Sequence, residues 1–226
     1  MNIKGLGEIE AIGFDIDGTL YAQWRLTARA LLRYVANGIF FLHYGLVRNE
    51  MHRLPQTDSF SQIQAEKMAK RMKCSPEEAY SRMDRIVYTG LEPYFEKVKC
   101  YPNIEETFRK FKEAGLKLAL LSDFPPEQKG EIWGVKKYCD VVLGTEKLGA
   151  LKPDPYSFLK MAEALDVSPE KILYVGNSKK YDVRGAHNAG MKCAYLLPLW
   201  RKIFNKPLKE ADISFSTYRQ LQEIVL

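Results

Sequence analysis

The sequence predicts an α/β protein with a doubly wound parallel sheet and an inserted helical cap domain. Six short apolar runs lack the alternation of a sheet with one solvated face, which is typical of buried parallel strands. Segments with helical periodicity separate most of these runs, and such alternation indicates a doubly wound sheet. One interval, between the first and second runs, is far longer than a single crossover needs, so an insertion is expected there.

The apolar runs are the predicted strands. They are Ala11–Phe14, Leu116–Leu121, Val141–Leu143, Ile172–Val175, Cys193–Leu197 and, as an edge strand, Ile213–Phe215. Polar residues able to carry chemistry follow several of them directly. Because sites in open α/β sheets form at the carboxyl ends of the strands, we expect these residues to meet at one edge of the sheet.

Four predicted helices follow the strands in the second half of the chain. They are Ile104–Ala114, Pro155–Leu165, Asp182–Ala189 and Thr217–Val225, the last beginning behind Ser216. Gly115 and Gly190 follow two of them, and glycine is the usual residue just after a helix. Asp154 is expected to cap the second helix, because an N-cap carboxylate before a proline at the first helical position is a typical start signal.

The stretch from Ala22 to Lys99 has helical periodicity and few strand signals. Ser75, followed by a proline and two acids, predicts the start of one of its helices. We therefore expect residues 22–99 to form the cap domain and residues 1–21 with 100–226 to form the core. The cap stretch carries 13 Lys and Arg against 8 Asp and Glu, within a chain of net charge +6, which suits an anionic substrate.

Composition narrows the remaining classes of protein. The 226 residues suffice for a sizeable core, and the four scattered cysteines suggest neither a disulfide framework nor a zinc site. Met1–Glu10 has no apolar run of secretory type, and the longest uncharged stretch, Tyr34–Val47, is too short to span a bilayer. The expectation is a cytoplasmic protein that binds a small phosphorylated substrate, with no nucleic acid or membrane partner; the sequence does not indicate an oligomeric state.

The sharpest chemical signal is the segment Phe14–Leu20, which reads Phe-Asp-Ile-Asp-Gly-Thr-Leu. Its two carboxylates, Asp15 and Asp17, lie two residues apart and so point the same way from an extended strand. One carboxylate can attack phosphorus while the other handles the proton of the leaving group. An Asp-Gly turn at a strand end is the structural alternative.

Together with three later segments, this motif makes the sequence resemble the haloacid dehalogenase (HAD) superfamily, in its phosphatase branch with an inserted helical C1-type cap. The resemblance implies a Rossmann-like core, and the motifs occur in the family's order. They are matched by Asp15-Ile16-Asp17-Gly18-Thr19, Leu120-Leu121-Ser122-Asp123, Leu151-Lys152-Pro153-Asp154-Pro155 and Tyr174-Val175-Gly176-Asn177-Ser178-Lys179-Lys180-Tyr181-Asp182. The resemblance covers the core, roughly residues 8–19 and 100–197, and says little about the cap.

The resemblance implies a role for each matched position. Asp15 would be the nucleophile and Asp17 the general acid and base. Ser122 and Lys152 would complete the catalytic set and bind phosphate. The further phosphate contacts would be Gly18, Thr19 and Asp123. The Mg²⁺ site would be formed by Asp15, the backbone carbonyl of Asp17, Asn177 and Asp182.

One position departs from the family pattern. The family usually has Asp where this chain has Asn177, and an amide oxygen can bind Mg²⁺ but brings no charge. Weaker metal binding is the expected consequence. The favoured function is a Mg²⁺-dependent phosphatase, and the presence of Asp17 favours phosphoryl transfer over dehalogenation. A phosphomutase on the same core and a non-catalytic binding protein remain as alternatives.

Two other features carry no assigned chemistry. His187 has no second ligand at metal spacing, so a packed or surface side chain is expected. The segment Trp200–Phe204 suits an amphipathic surface or a partner contact.

Overall fold

The computed structural model describes residues 1–3 and 5–226. Its strands are β1 (Asn2–Ile3), β2 (Gly7–Glu8), β3 (Ala11–Phe14), β4 (Lys117–Ser122), β5 (Val141–Gly144), β6 (Ile172–Gly176), β7 (Lys192–Leu196) and β8 (Ile213–Phe215). The first two form a small antiparallel hairpin. The other six form one parallel sheet in the order β5-β4-β3-β6-β7-β8. The predicted doubly wound α/β fold is therefore confirmed.

Helices surround this sheet and fill the long interval after β3. They are α1 (Gln23–Arg29), α2 (Leu31–Ala36), α3 (Gly38–Met51), α4 (Phe60–Met72), α5 (Pro76–Met83), α6 (Thr89–Phe95), α7 (Ile104–Glu113), α8 (Thr145–Leu148), α9 (Pro155–Leu165), α10 (Arg184–Asn188), α11 (Leu199–Ile203) and α12 (Tyr218–Val225). Between α1 and α6 the described residues contain no strand, as the sequence predicts.

The core lies on both faces of the sheet because the strands are apolar on both faces. On one face Phe14 stacks on Phe108 of α7, with ring centroids 4.4 Å apart, and Leu221 of α12 joins the same cluster. On the other face Phe158 of α9 packs edge-on against Tyr174 of β6. The first of these clusters continues into the helices between β3 and α7, so one apolar core joins the insertion to the sheet.

The two ends of the helical insertion lie side by side. An isolated antiparallel bridge pairs Tyr21 with Cys100, one residue outside each predicted boundary of the cap.

Two predicted helix starts, one in the insertion and one in the core, have the expected N-cap hydrogen bonds. Ser75 accepts a hydrogen bond from the Glu78 amide, and Asp154 accepts one from the Tyr156 amide.

Several element boundaries differ from the sequence predictions. The predicted helix over 182–189 begins as a π-helical turn, Lys179–Val183, before α10. The last helix is capped by Thr217, whose hydroxyl accepts from the Gln220 amide, and not by Ser216. The hairpin β1–β2 and the short helix α8 carry no periodic signal, because a two-residue strand and a single helical turn are shorter than one period of either pattern.

Candidate active site

The site lies where the strand order reverses, at the carboxyl ends of β3 and β6. Strands β4 and β5 continue from β3 in one direction, and β7 and β8 continue from β6 in the other. Asp15 follows β3 directly, and its amide donates to the Val175 carbonyl of β6. The chain then turns at Gly18, which has φ +90°. A Cβ at this position would lie 2.6 Å from the side-chain nitrogen Nδ2 of Asn177. Only glycine fits this turn and the close approach together.

Asp15 is buried and shares a lysine with a second buried carboxylate. Lys152 Nζ lies 2.6 Å from Asp15 Oδ1 and 2.8 Å from Asp182 Oδ1, so the lysine bridges the two acids. Burial raises the pKa of Asp15 to about 7, although Lys152 acts in the opposite direction. Burial opposes the charge of Lys152 as well, but the two carboxylates outweigh it and raise the pKa of Lys152 well above its usual range. The bridge therefore holds Lys152 charged beside Asp15.

Three donors other than Lys152 hold Asp17. The Tyr21 hydroxyl donates to Asp17 Oδ1 over 2.7 Å, and the Ser122 hydroxyl donates to Oδ2 over 3.0 Å. Lys129 Nζ lies 3.2 Å from the same Oδ2, on a side chain that is fully buried. The two carboxylates two residues apart thus have separate cations, one lysine for each.

Lys129 reaches this position from a single 3-10 turn, Pro126–Lys129, after β4. Its ammonium group lies 3.4 Å from the Ser122 hydroxyl and 5.3 Å from the ring of Phe95 in α6. A cation over an aromatic face is attracted by the ring quadrupole, so this contact ties the helical insertion to the site.

Thr19 joins Asp15 to Asn177. Its hydroxyl lies 2.8 Å from Asp15 Oδ2 and 3.0 Å from Asn177 Oδ1, and its single proton can serve one of them at a time. The Thr19 carbonyl accepts a hydrogen bond from Tyr218 of α12, which holds the turn from below. The two side-chain oxygens of Asp15 and Asn177 therefore converge on one point.

Both carboxylate oxygens of Asp182 have donors within the protein. Its Oδ1 binds Lys152, and its Oδ2 accepts from the amides of Asn177 and Ser178 at 3.0 and 2.8 Å. The π-helical turn that precedes α10 carries Asp182 back under β6, and a Cβ at Gly176 would lie 2.3 Å from the Asp182 Cβ. Asp182 thus fixes the loop of Asn177 and the position of Lys152.

Asp123 faces away from the carboxylate pair. Its Oδ1 accepts from the Thr145 hydroxyl at 2.8 Å and from the Lys152 amide at 3.1 Å. The side chain therefore positions the backbone that carries Lys152. This geometry differs from the direct phosphate contact that the sequence resemblance implies.

The oxygens around Asp15 have the chemistry that a hard cation such as Mg²⁺ requires. Asp15 and Asn177 offer converging side-chain oxygens, and the backbone carbonyl of Asp17 lies between them in the chain. In the part of the chain that the structure describes, no group of three or more His, Cys, Asp or Glu side chains is arranged to hold a metal ion. A metal here would depend on one carboxylate, neutral oxygens and water.

Some residues of the site have no signal in the sequence. Tyr21 follows Asp17 by four residues, but its role depends on the turn at Gly18. Lys129 lies in a loop without periodicity, and the Tyr174 hydroxyl, 3.3 Å from Lys152 Nζ, belongs to what reads as an ordinary apolar strand. These contacts arise only when separate segments pack together.

The helical insertion contacts the core beside the site through buried polar groups. Arg48 of α3 forms a salt bridge with Glu146 and donates to the Asp123 carbonyl. His52 Nδ1 lies 2.6 Å from the Lys152 carbonyl, and its ring stacks on Tyr181. Both contacts end on loops that carry predicted site residues.

Comparisons with known proteins identify the family of the chain. Residues 9–190 match the haloacid dehalogenase-like hydrolase family. The glyceraldehyde 3-phosphate phosphatase of Methanopyrus kandleri is 29% identical over 192 residues, which cover 81% of this chain and 82% of the relative. The phosphoglycolate phosphatase of Aquifex aeolicus is 29% identical over 204 residues, 85% of each chain.

A solved structure supports the fold. The HAD phosphatase from Thermococcus onnurineus superposes with a TM-score of 0.64 at 23% identity, covering 96% of this chain and 98% of that one. The family match extends over most of the chain and includes all four strand-end segments, and the relatives are phosphatases. The chain therefore belongs to the haloacid dehalogenase-like hydrolases and is a phosphoric monoester hydrolase.

Proposed function

We propose that the chain is a Mg²⁺-dependent phosphatase that hydrolyses a small phosphorylated metabolite through an aspartyl-phosphate on Asp15. The observation that carries this proposal is the separate pairing of the two motif carboxylates. Asp15 lies 2.6 Å from the Lys152 ammonium group, and Asp17 is held by the hydroxyls of Tyr21 and Ser122. Such separation suits one carboxylate for attack and the other for proton transfer.

In the first half-reaction, Asp15 attacks phosphorus and the bond from phosphorus to the ester oxygen breaks. Lys152 opposes the effect of burial on the pKa of Asp15, which favours the ionised nucleophile, and it offsets the charge of the incoming phosphate. Asp17, protonated from solvent before this step, gives its proton to the leaving alkoxide, which departs as an alcohol. The Ser122 hydroxyl, 3.0 Å from Asp17, is placed to donate to a phosphoryl oxygen once Asp17 turns toward the leaving group.

In the second half-reaction, water attacks phosphorus of the aspartyl-phosphate. Asp17 takes the proton of this water, the bond between phosphorus and the Asp15 oxygen breaks, and inorganic phosphate leaves. Both carboxylates return to their starting protonation states. The same residue thus acts as acid and then as base, as reversal of a proton transfer requires.

Mg²⁺ would be held by Asp15, the Asp17 carbonyl and Asn177. When bound, it supplies positive charge that offsets the repulsion between the nucleophile and the phosphate. Asp182 acts by fixing Lys152 and the Asn177 loop, since both of its oxygens already have donors. Asp123 likewise positions Lys152 through the Lys152 amide.

We further propose that residues 22–99 form a cap domain that selects the substrate. Support comes from the Tyr21–Cys100 bridge, which closes the insertion at its base, and from the Phe95 ring over Lys129. The relatives act, by name, on glyceraldehyde 3-phosphate and phosphoglycolate, so small phosphorylated acids and aldehydes are the first substrates to try.

The experiment is a Mg²⁺-dependent phosphate-release screen over such metabolites, with Asp15→Asn and Asp154→Asn compared on the best substrate. Asp154→Asn removes a carboxylate that caps α9, outside the site, and it should retain activity. Asp15→Asn should fall to background. An Asp15→Asn enzyme with full activity would refute the mechanism, and conversion of the substrate without phosphate release would indicate a mutase.

A further inference from the structure

The helices α2 and α3 expose a row of aliphatic side chains. Large side chains that are exposed by 42–85% recur at helical spacing along this stretch. They are Leu31, Leu32, Val35, Ile39, Leu42 and Leu46. Side chains three and four residues apart share one helix face, so these residues form a stripe without a partner in the fold. A contiguous apolar patch of this kind marks an interaction surface.

The short helix α11 and the residue after it expose a second apolar cluster. Leu199, Trp200, Ile203 and Phe204 are exposed by 51–73%. A cleft of about 420 Å³ is lined by Leu199 of this cluster and by Trp24 of α1, the helix that precedes the stripe in the chain. The same cleft reaches Gly18 and Asn177 of the active site. The stripe, Trp24 and the cluster are here called the apolar face.

The charges within the two segments that carry the stripe and the cluster are all positive. The segments 22–49 and 198–209 each contain four Lys or Arg and no Asp or Glu. Seven of these cations form no salt bridge with any carboxylate that the structure describes, unlike most cations elsewhere in the fold. They are Arg25, Arg29, Arg33, Arg201, Lys202, Lys206 and Lys209. An apolar face rimmed by unpaired cations complements a surface that is apolar and anionic.

We propose that the apolar face docks on an anionic phospholipid bilayer. Amphipathic helices with Trp, Phe and Leu on one side and Lys or Arg beside them lie in the interface between headgroups and acyl chains. Trp24 and Trp200, both more than half exposed, are the side chains that this interface favours. This proposal differs from the sequence-based expectation of no membrane partner, which rested on the absence of a spanning segment.

Two observations favour this occupant over others. No helix in the described ranges is long and apolar enough to cross a bilayer, so the contact would be peripheral. A second copy docked through the same face would bring the unpaired cations of the two chains together, and like charges in one interface are unfavourable. Anionic lipid instead pairs with each cation that reaches the surface.

The first test is co-sedimentation with vesicles of phosphatidylcholine alone and of phosphatidylcholine mixed with phosphatidylglycerol. The full chain should bind the mixed vesicles and not the neutral ones, and added salt should weaken binding. The double variant Leu32→Ser/Ile39→Ser should bind on the order of 100-fold more weakly because two anchors are lost. Leu159→Ser/Tyr80→Ser, which changes two exposed side chains away from the face, should bind like the parent.

A second pair of variants tests whether the cations of the apolar face contribute to binding. Arg29→Gln/Lys206→Gln should weaken binding to the mixed vesicles about 20-fold, since each cation near an anionic bilayer is worth about fivefold. Lys136→Gln/Lys160→Gln changes the net charge equally but lies outside the face, and it should leave binding unchanged. Equal losses in the two variants would show that net charge, not the face, drives binding.

Tryptophan fluorescence reports the contact directly. The chain has three tryptophans, and Trp133 donates to the Val98 carbonyl inside the fold. Mixed vesicles should shift the emission of the parent to shorter wavelength. A Trp24→Phe/Trp200→Phe variant, which keeps only Trp133, should show no shift, and a shift of equal size there would overturn the proposal.

Hydrolysis of p-nitrophenyl phosphate in solution separates this proposal from the proposed function. The Leu32→Ser/Ile39→Ser variant should keep the activity of the parent on this small substrate, because both side chains are exposed by at least 77% and neither lines the cleft that reaches Gly18 and Asn177. Absence of vesicle binding in an active parent enzyme would refute the docking and leave the phosphatase intact. A dimer in analytical ultracentrifugation that this same variant abolishes, without vesicle binding, would assign the face to self-association instead.

Discussion

Replacing Lys129 by methionine should reduce activity strongly and stability only slightly. Lys129 Nζ lies 3.4 Å from the Ser122 hydroxyl. A phosphoryl oxygen that accepts from this hydroxyl would lie within about 6 Å of Nζ, since a hydrogen bond adds about 3 Å. Two unit charges at that distance attract by about 3 kcal/mol at an effective dielectric of 20. We therefore expect kcat/KM to fall on the order of 100-fold.

Stability should respond differently, because the Lys129 side chain is fully buried and methionine has a similar volume. Asp17 would keep the Tyr21 and Ser122 hydroxyls as donors, and its side chain is 17% exposed, so it is not left as an isolated buried charge. Removal of one partner of a buried ion pair is destabilising when the other charge is left uncompensated, but the two hydroxyls and solvent still reach Asp17 here. The midpoint of urea unfolding should therefore fall only slightly.

The assay is steady-state hydrolysis of the best substrate together with urea unfolding, for Lys129→Met, Lys129→Arg and Lys147→Met. Lys129→Arg keeps a charge near Asp17 and should recover part of the activity. Lys147 forms a surface ion pair with Glu127, so Lys147→Met should match the parent. Lys129→Met with activity within twofold of the parent would refute the assigned role, and parallel loss of activity and stability would show that Lys129 is structural.

Three further predictions concern metal binding, the junction with the insertion and acid stability. Asn177→Asp adds a carboxylate within about 6 Å of Asp15, so without Mg²⁺ it should destabilise the protein by up to about 3 kcal/mol. Added Mg²⁺ should restore the melting temperature of this variant, and it should raise the melting temperature at a lower concentration than in the parent. A Mg²⁺ response equal to that of the parent would contradict the metal assignment. Arg48→Leu leaves the buried Glu146 carboxylate without its cation and should lower the free energy of unfolding in urea by about 3–5 kcal/mol. The double variant Arg48→Leu/Glu146→Leu should regain most of this stability. A double variant as unstable as Arg48→Leu would argue against the ion pair. Hydrogen bonds from a lysine and an arginine of α4 lower the pKa of Glu50 to about 2, so its contribution is complete above pH 4.5 and is lost as the pH falls toward 2. Glu50→Gln should therefore cost less than about 1 kcal/mol at neutral pH, with the difference vanishing toward pH 2; a difference that persists there would contradict the ion pair.

The sequence determined the strands, their functional ends and the position of the insertion. Apolar runs such as Ile172–Val175 leave few alternatives to a buried strand, and a buried parallel strand delivers the next residue to the carboxyl edge of the sheet. That is why Asp15, Ser122 and Lys152 could be grouped before their distances were known. Local signals worked equally well for helix starts at Ser75 and Asp154, because a cap depends only on its own next three residues.

Only the tertiary structure decided the electrostatics around those residues. The second cation of the site, Lys129, comes from a turn without periodicity, and the engagement of both Asp182 oxygens depends on a π-helical turn that no pattern indicates. The apolar face likewise combines segments that are separate in the chain, and only Trp200–Phe204 suggests a surface or partner contact from its sequence. The physical reason is the same in each case: a local pattern reports how a residue meets its neighbours along the chain. Charge pairing and exposure depend instead on which distant segments pack within a few ångströms.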